Sequence, residues 1–359
     1  MPDAARPRCT VRVAGNPQHV YQVVAGFAML ASRREIDFAY DLVPAADAPF
    51  GHANVVTATI TGRPVAYDML DGYVNIPRSE LERALGSVDL YFKRSFSRAE
   101  NASLVHGDRI RPFGLNYPVT YRAAVFRRMR AGDPLRQRLV RGLKSAAGRS
   151  PHPHVETFES PPQVRDDPRV VFQTRVYDPE GEPGEDPALL ARENAGAERR
   201  QLNEMRVGCV RSLREAFGES FVGGVAPTAF AASQYPDCLL DPAEVSRPRY
   251  LRALKDADVG VATVGLHQSN QWKLAEYVAA SKAVVAERLR YEVPAFSSPA
   301  NYLSFDTAGE CVEQVAALLA DPGRRLAMME ANRQHYEAYV RPDSAIRRTI
   351  REILEDDRT

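Results

Sequence analysis

No run of this 359-residue chain reaches the roughly 20 consecutive apolar residues that a membrane-spanning helix needs. Its opening residues, Met1-Pro2-Asp3-Ala4-Ala5-Arg6-Pro7-Arg8, lack the apolar core of a secretory leader, so a cytoplasmic protein is the default expectation. Cysteine is scarce and scattered: Cys9, Cys209, Cys238 and Cys311 form no CxxC pair, which excludes a disulfide scaffold and reads as reduced structural thiols. There is no HExxH, no Cys/His cluster and no Asp-rich metal loop, so neither a resident metal nor a cofactor is expected. GxxxxGK[ST] and GxGxxG are both missing, which argues against a nucleoside triphosphatase and a dehydrogenase. Charge of one sign is not in excess either. With 47 basic against 46 acidic side chains, no global field gathers polyanions, and nucleic acid is not an expected partner.

What is present suits a globular protein with a real core: 44% of residues are hydrophobic, and the mean hydropathy of −0.36 is far from the membrane class. The length exceeds what one core usually serves, so two domains are expected, and two Rossmann-like halves fit. A basic run from Arg127 to Lys144 reads as a solvated helix face, with peripheral membrane attachment left open.

Along the chain, the β-prone Thr10-Val11-Arg12-Val13-Ala14 leads through a turn containing His19 into an apolar stretch of helical length at 20–30, the opening of a βα unit. Residues 37–43 read as a strand, 55–67 as a strand pair or a strand and bend around Gly62-Arg63-Pro64, 79–85 as a short helix, and 88–94 as a further strand. Prolines and glycine crowd 148–169, which reads as a linker. The apolar run 170–177 then suits a buried parallel strand, followed by an acidic loop at 178–187 and a helix over 188–217. The expected organisation is a first domain at 1–150, a linker at 151–169, a second domain at 170–335, and a helical segment at 336–359 that is open to packing back on the first domain. Alternating strands and helices point to open parallel sheets.

The most informative stretch is 257–286, which reads strand, polar loop, helix, strand. Ligands of open α/β sheets sit beyond the carboxyl ends of strands, where the loop 265–271 falls. The N–H groups opening the next helix suit a phosphate, and Lys273 adds positive charge in its first turn. Three residues on, Glu276 shares its face and suits sugar hydroxyls. An ordinary surface pair has the same spacing.

From Lys273 onward the chain resembles the GT-B glycosyltransferases, especially the broad group-1 retaining superfamily. The resemblance is carried by Lys273-Leu274-Ala275-Glu276-Tyr277-Val278-Ala279-Ala280-Ser281-Lys282-Ala283-Val284-Val285, and continues through Asn301-Tyr302-Leu303-Ser304-Phe305 to Tyr336 and Tyr339. It implies an α/β fold of two Rossmann-like domains facing a cleft, an acceptor-binding first domain and a nucleotide-sugar-binding second one. The implied activity is sugar transfer from a nucleoside-diphosphate sugar to a hydroxyl or amine of a small molecule or glycan. Many relatives place two glutamates with seven residues between them, whereas here Gln268 holds the first position and Glu276 the second. Relatives also often follow the first strand of this domain with Arg and then Lys; Arg175 fits the former, while 178–185 offers no Lys.

The donor set implied is Arg175, His267, Gln268, Ser269, Asn270, Lys273 and Glu276. In the first domain His19 occupies the loop where inverting relatives keep the base that takes the acceptor proton. Asp68, Asp71, Lys93, Arg94 and Asn116 are acceptor-side candidates, and turn formation or surface pairing accounts for the four charged ones equally well. Two other readings stay open: a nucleotide-sugar epimerase or hydrolase of the same fold, and a non-catalytic nucleotide- or carbohydrate-binding module.

Overall fold

The structure is a computed structural model that describes residues 5–131, 153–181, 194–242 and 244–356. Most of the basic run, the later part of the acidic loop and the start of the helix expected from 188 lie outside the described residues. The chain divides into two compact units, one of Met1–Thr157, Tyr291–Ala295 and His335–Thr359, the other of Phe158–Arg290 and Phe296–Gln334. The chain first passes from one unit to the other at a short helical turn, Val155–Phe158.

The first unit is built on a sheet of six strands: β1 (Arg8–Ala14), β2 (Asp37–Val43), β3 (Val55–Ile60), β4 (Arg63–Asp68), β5 (Leu90–Lys93) and β6 (Ile110–Pro112), in the order β2-β1-β3-β4-β5-β6. In β1, Cys9, Val11 and Val13 face inward while Thr10 and Arg12 face out, the period-two pattern of a half-buried strand. The sheet is not wholly parallel. β3 runs antiparallel to β1 and β4, because the turn Thr61-Gly62, with φ of 50° and 88°, folds the chain straight back. The helix Tyr21–Ser32 buries ten of its residues between this sheet and the C-terminal helix Pro342–Asp356. That last helix belongs to the first unit: Ile346, Ile350 and Ile353 join its core, and the Tyr67 and Thr349 hydroxyls lie 2.9 Å apart.

In the second unit the strands β7 (Val170–Thr174), β8 (Phe221–Val225), β9 (Val259–Ala262), β10 (Ala283–Glu287) and β11 (Leu303–Phe305) are all parallel. Every residue of β9 is buried, as are four of five in β7 and β10, which accounts for their unbroken apolar runs. The order β11-β10-β9-β7-β8 reverses between β7 and β9, so their carboxyl ends flank the topological switch point, where open sheets bind ligands. The helix Trp272–Ala279 is seated on β9 by Gly260, since a Cβ there would lie 2.5 Å from the Tyr277 ring. Among the described residues no helix is long and apolar enough to cross a membrane.

Candidate functional site

The loop 263–271 leaves β9 at the switch point and delivers the chain to the helix Trp272–Ala279. It is tightly folded: the Gly265 N–H donates to the Ser269 carbonyl at 2.8 Å, and Val264 bridges Asn270. His267 and Gln268 both adopt left-handed conformations, with φ of 56° and 58°. Ser269 and Asn270 are 3% and 5% exposed, so of the four loop residues expected to meet a donor, only His267 and Gln268 present much surface. Gln271 stands at the N-cap, yet its side chain donates to the Val264 carbonyl at 3.0 Å and makes no cap bond. The N-cap side chain therefore offers no acceptor to the opening turn of the helix, an arrangement that suits an anion.

Lys273 and Glu276 share a face, as their spacing requires, with Nζ 3.4 Å from Oε2. The structure adds two partners from the helix Arg247–Asp256. Arg247 donates to Glu276 Oε1 at 2.8 Å, the Tyr250 hydroxyl donates to Oε2, and the Lys273 ammonium sits 3.2 Å from the centre of the Tyr250 ring. Glu276 is 2% exposed; burial pushes its pKa up, but Lys273, Arg247 and the Tyr250 hydrogen bond outweigh this and hold it below the usual value. Burial lowers Lys273 to about 8, with Arg247 pulling the same way and Glu276 opposing. Both oxygens of Glu276 are thus engaged within the protein, and the ribose contact expected of it requires one of these bonds to open. Lys273 keeps 26% of its side-chain surface accessible. With Arg247 it leaves the trio one positive charge in excess.

Arg175 follows β7 on the other flank of the switch point, exposed, with its guanidinium 4.4 Å from the centre of the Tyr177 ring. Arg247 and Tyr250 escaped the sequence analysis, which places no site residue on the helix Arg247–Asp256. The start signal was Pro248, which stands in the first turn of the helix and suits the missing donors there.

The first-unit candidates also come together, at the carboxyl ends of β4 and β5, but mostly as partners of one another. Asp68 and Lys93 are register partners on these strands, 0% and 2% exposed, and pair at 2.6 Å. The Tyr91 hydroxyl and the Leu70 N–H complete the Asp68 carboxylate at 2.9 and 2.8 Å. Asp68 and Lys93 are therefore interior braces rather than surface ligands. Arg94, 3% exposed, pairs with Asp71 at 2.8 Å, and only Asp71 reaches solvent to any extent. Asn116 is 1% exposed and donates to the His19 carbonyl at 2.8 Å, pinning the β1–helix loop. Burial and then the neighbouring Arg94 lower the His19 imidazole to about 4, against the opposite pull of Asp71 and the Met69 backbone. At neutral pH its ring is uncharged and a weak base.

A family model described as glycosyl transferase-like matches residues 206–351, the stretch that holds the switch-point loop, Arg247, Lys273 and Glu276. No curated protein matches the chain in sequence. Among solved structures, a glycosyltransferase from Rickettsia africae is 11% identical, with 81% of this chain and 70% of that one covered and a TM-score of 0.42. HepE of Anabaena, solved in complex with UDP, is 10% identical over 95% of this chain and 78% of its own, with a TM-score of 0.41. A UDP-GlcNAc 2-epimerase from Neisseria meningitidis, solved bound to UDP-GlcNAc, is 10% identical over 96% and 99%, with a TM-score of 0.42. Over 206–351, about two fifths of its length, this chain is therefore similar to the glycosyl transferase-like family.

Proposed function

We propose that this protein moves a sugar from a nucleoside-diphosphate sugar to an acceptor hydroxyl or amine. The observation that carries this reading is the cationic excess at the switch point: Lys273 and Arg247 against Glu276, beside a helix start without a side-chain cap. A diphosphate supplies the charge that this arrangement lacks. In the reaction the acceptor heteroatom forms a bond to the anomeric carbon, the bond from that carbon to the diphosphate oxygen breaks, and the acceptor proton leaves to solvent or a base. Negative charge grows on the departing diphosphate, where Lys273, Arg175 and the helix N–H groups stabilise it without a resident metal. Glu276 holds Lys273 in place and opens toward a ribose hydroxyl when the donor enters. On the acceptor side, His19 meets the acceptor as a neutral imidazole, with Asp71 as the neighbouring carboxylate.

The test is a thermal-shift panel of nucleoside diphosphates and their sugars, since a ligand held only by the folded state raises Tm. At least one diphosphate should raise Tm by several degrees, and its sugar should be consumed only slowly until an acceptor is added, with turnover indifferent to a chelator. A panel without a single shift overturns the reading. Full conversion of the sugar with no acceptor would make the protein an epimerase or hydrolase instead.

A further inference from the structure

The long helix Ala195–Phe217 has two halves of different character. Toward its carboxyl end Cys209, Val210 and Leu213 face the sheet as an ordinary apolar stripe. Toward its amino end the buried positions include, beside Leu202, the polar Arg199, Asn203 and Arg206, 4%, 1% and 0% exposed and spaced i, i+4, i+7 on one face. A polar group buried in such a place is destabilising unless it is hydrogen-bonded. Here each one is spent on loop backbone. Arg199 donates to the Asp178 carbonyl at 2.9 Å. Asn203 holds Tyr177 at both ends, accepting from its N–H at 2.9 Å and donating to its carbonyl at 2.7 Å. Arg206 spans the switch point itself, donating to the Arg175 carbonyl at 2.7 Å, the Val264 carbonyl at 2.9 Å and the Thr263 hydroxyl at 3.3 Å. Beside this stripe Glu198 accepts from the His267 N–H at 2.5 Å, with its other oxygen 3.6 Å from Nδ1. His267 is one of the two consecutive non-glycine residues held left-handed, a conformation that an unrestrained loop leaves.

Every bond of this set ends on the segments 175–178 and 263–267, the two that flank the switch point. None of the four side chains need touch a ligand to matter there. We propose that Glu198, Arg199, Asn203 and Arg206 are the positioning residues of the donor site, fixing both loops in advance so that Arg175 and the loop around His267 meet a nucleoside diphosphate already ordered. The proposal rests on the donor reading above. Three of the four residues precede the matched segment 206–351, so the family match says nothing of them.

Two mild variants test it, Asn203→Ala and Glu198→Gln, each examined by amide hydrogen exchange on the whole protein and by titration with the nucleoside diphosphate that most stabilises wild type. Asn203→Ala should raise exchange in a peptide covering 175–181 by at least tenfold and leave β9 and β10 protected. Because freed backbone must be re-ordered on binding, the diphosphate Kd should rise about tenfold, and most of the loss in kcat/KM should fall on the donor KM. Glu198→Gln should do the same for 264–269 to a smaller degree, since the amide oxygen still accepts from the His267 N–H. A local rise in exchange with an unchanged Kd overturns the proposal. So does a general rise across the second unit accompanied by an equal fall in kcat, which is the pattern of a structural role. A wild type that binds no nucleoside diphosphate overturns the donor reading and, with it, the ligand named here.

Discussion

Charged side chains gather at the carboxyl ends of the sheets in both units, and the two gatherings are used in opposite ways. In the first unit Asp68 cancels Lys93 and Asp71 cancels Arg94, with three of these four side chains 4% exposed or less. In the second, one carboxylate, Glu276, faces two cations, and Lys273 keeps about a quarter of its side-chain surface accessible. A self-cancelling set stabilises a strand end and offers an anion nothing. A set with a surplus is incomplete until an anion arrives. On the proposed function, similar residue types therefore serve folding in one place and binding in the other, and the arithmetic of pairing separates them.

The comparison breaks most readily where burial is greatest. Replacing Lys93 with Met strands Asp68 in the interior, and urea denaturation should show a loss of about 3–5 kcal/mol, as for other broken buried pairs. The double variant Lys93→Met/Asp68→Asn should recover much of it. A loss below about 1 kcal/mol for the single variant would mean that the pair is not a brace.

A smaller effect is expected on the other side. Arg247→Met removes one cation of the surplus, so diphosphate affinity should fall about tenfold by calorimetry, the size of a single charge-assisted contact. It also removes a charge that depresses Lys273, so the pH at which affinity begins to fall should move upward.

That pH dependence is the third expectation. Lys273 titrates at about 8 in the unliganded protein, and a diphosphate favours its charged form. Affinity is therefore full below pH 8 and declines as pH rises through it, by at most about tenfold per unit. A flat profile from pH 6 to 9.5 would remove Lys273 from the anion's surroundings.

The smallest effect belongs to His19. Because it titrates at about 4, it is already neutral across that range, and His19→Gln should leave the shape of the pH–rate profile from 6 to 9 unchanged. An altered limb near 6 or 7 would mean that substrate restores a basic imidazole there.

Much of the second unit was legible in the chain itself, because buried parallel strands announce themselves as short apolar runs, and the spacing of Lys273 and Glu276 holds on any helix. The first sheet was less so. The strand pair at 55–67 shows a hairpin, but nothing local says that β3 will insert between β1 and β4 and run against them. Partners far apart in sequence were hidden for the same reason. Asp68 meets Lys93 through strand register, and Arg247 and Tyr250 meet Glu276 through the packing of one helix on another. Arg199, Asn203 and Arg206 were concealed differently, since a polar stripe on a helix reads as its solvated face until the loops that it holds are known.

The central claim is that Lys273 supplies the unmet positive charge of a diphosphate site. Calorimetric titration of wild type and Lys273→Met with the nucleoside diphosphate that gives the largest thermal shift tests it most directly. The account predicts that binding weakens by about a hundredfold or more while the variant keeps its circular dichroism, in line with the loss of a buried charged contact. Equal affinities in the two proteins would contradict it.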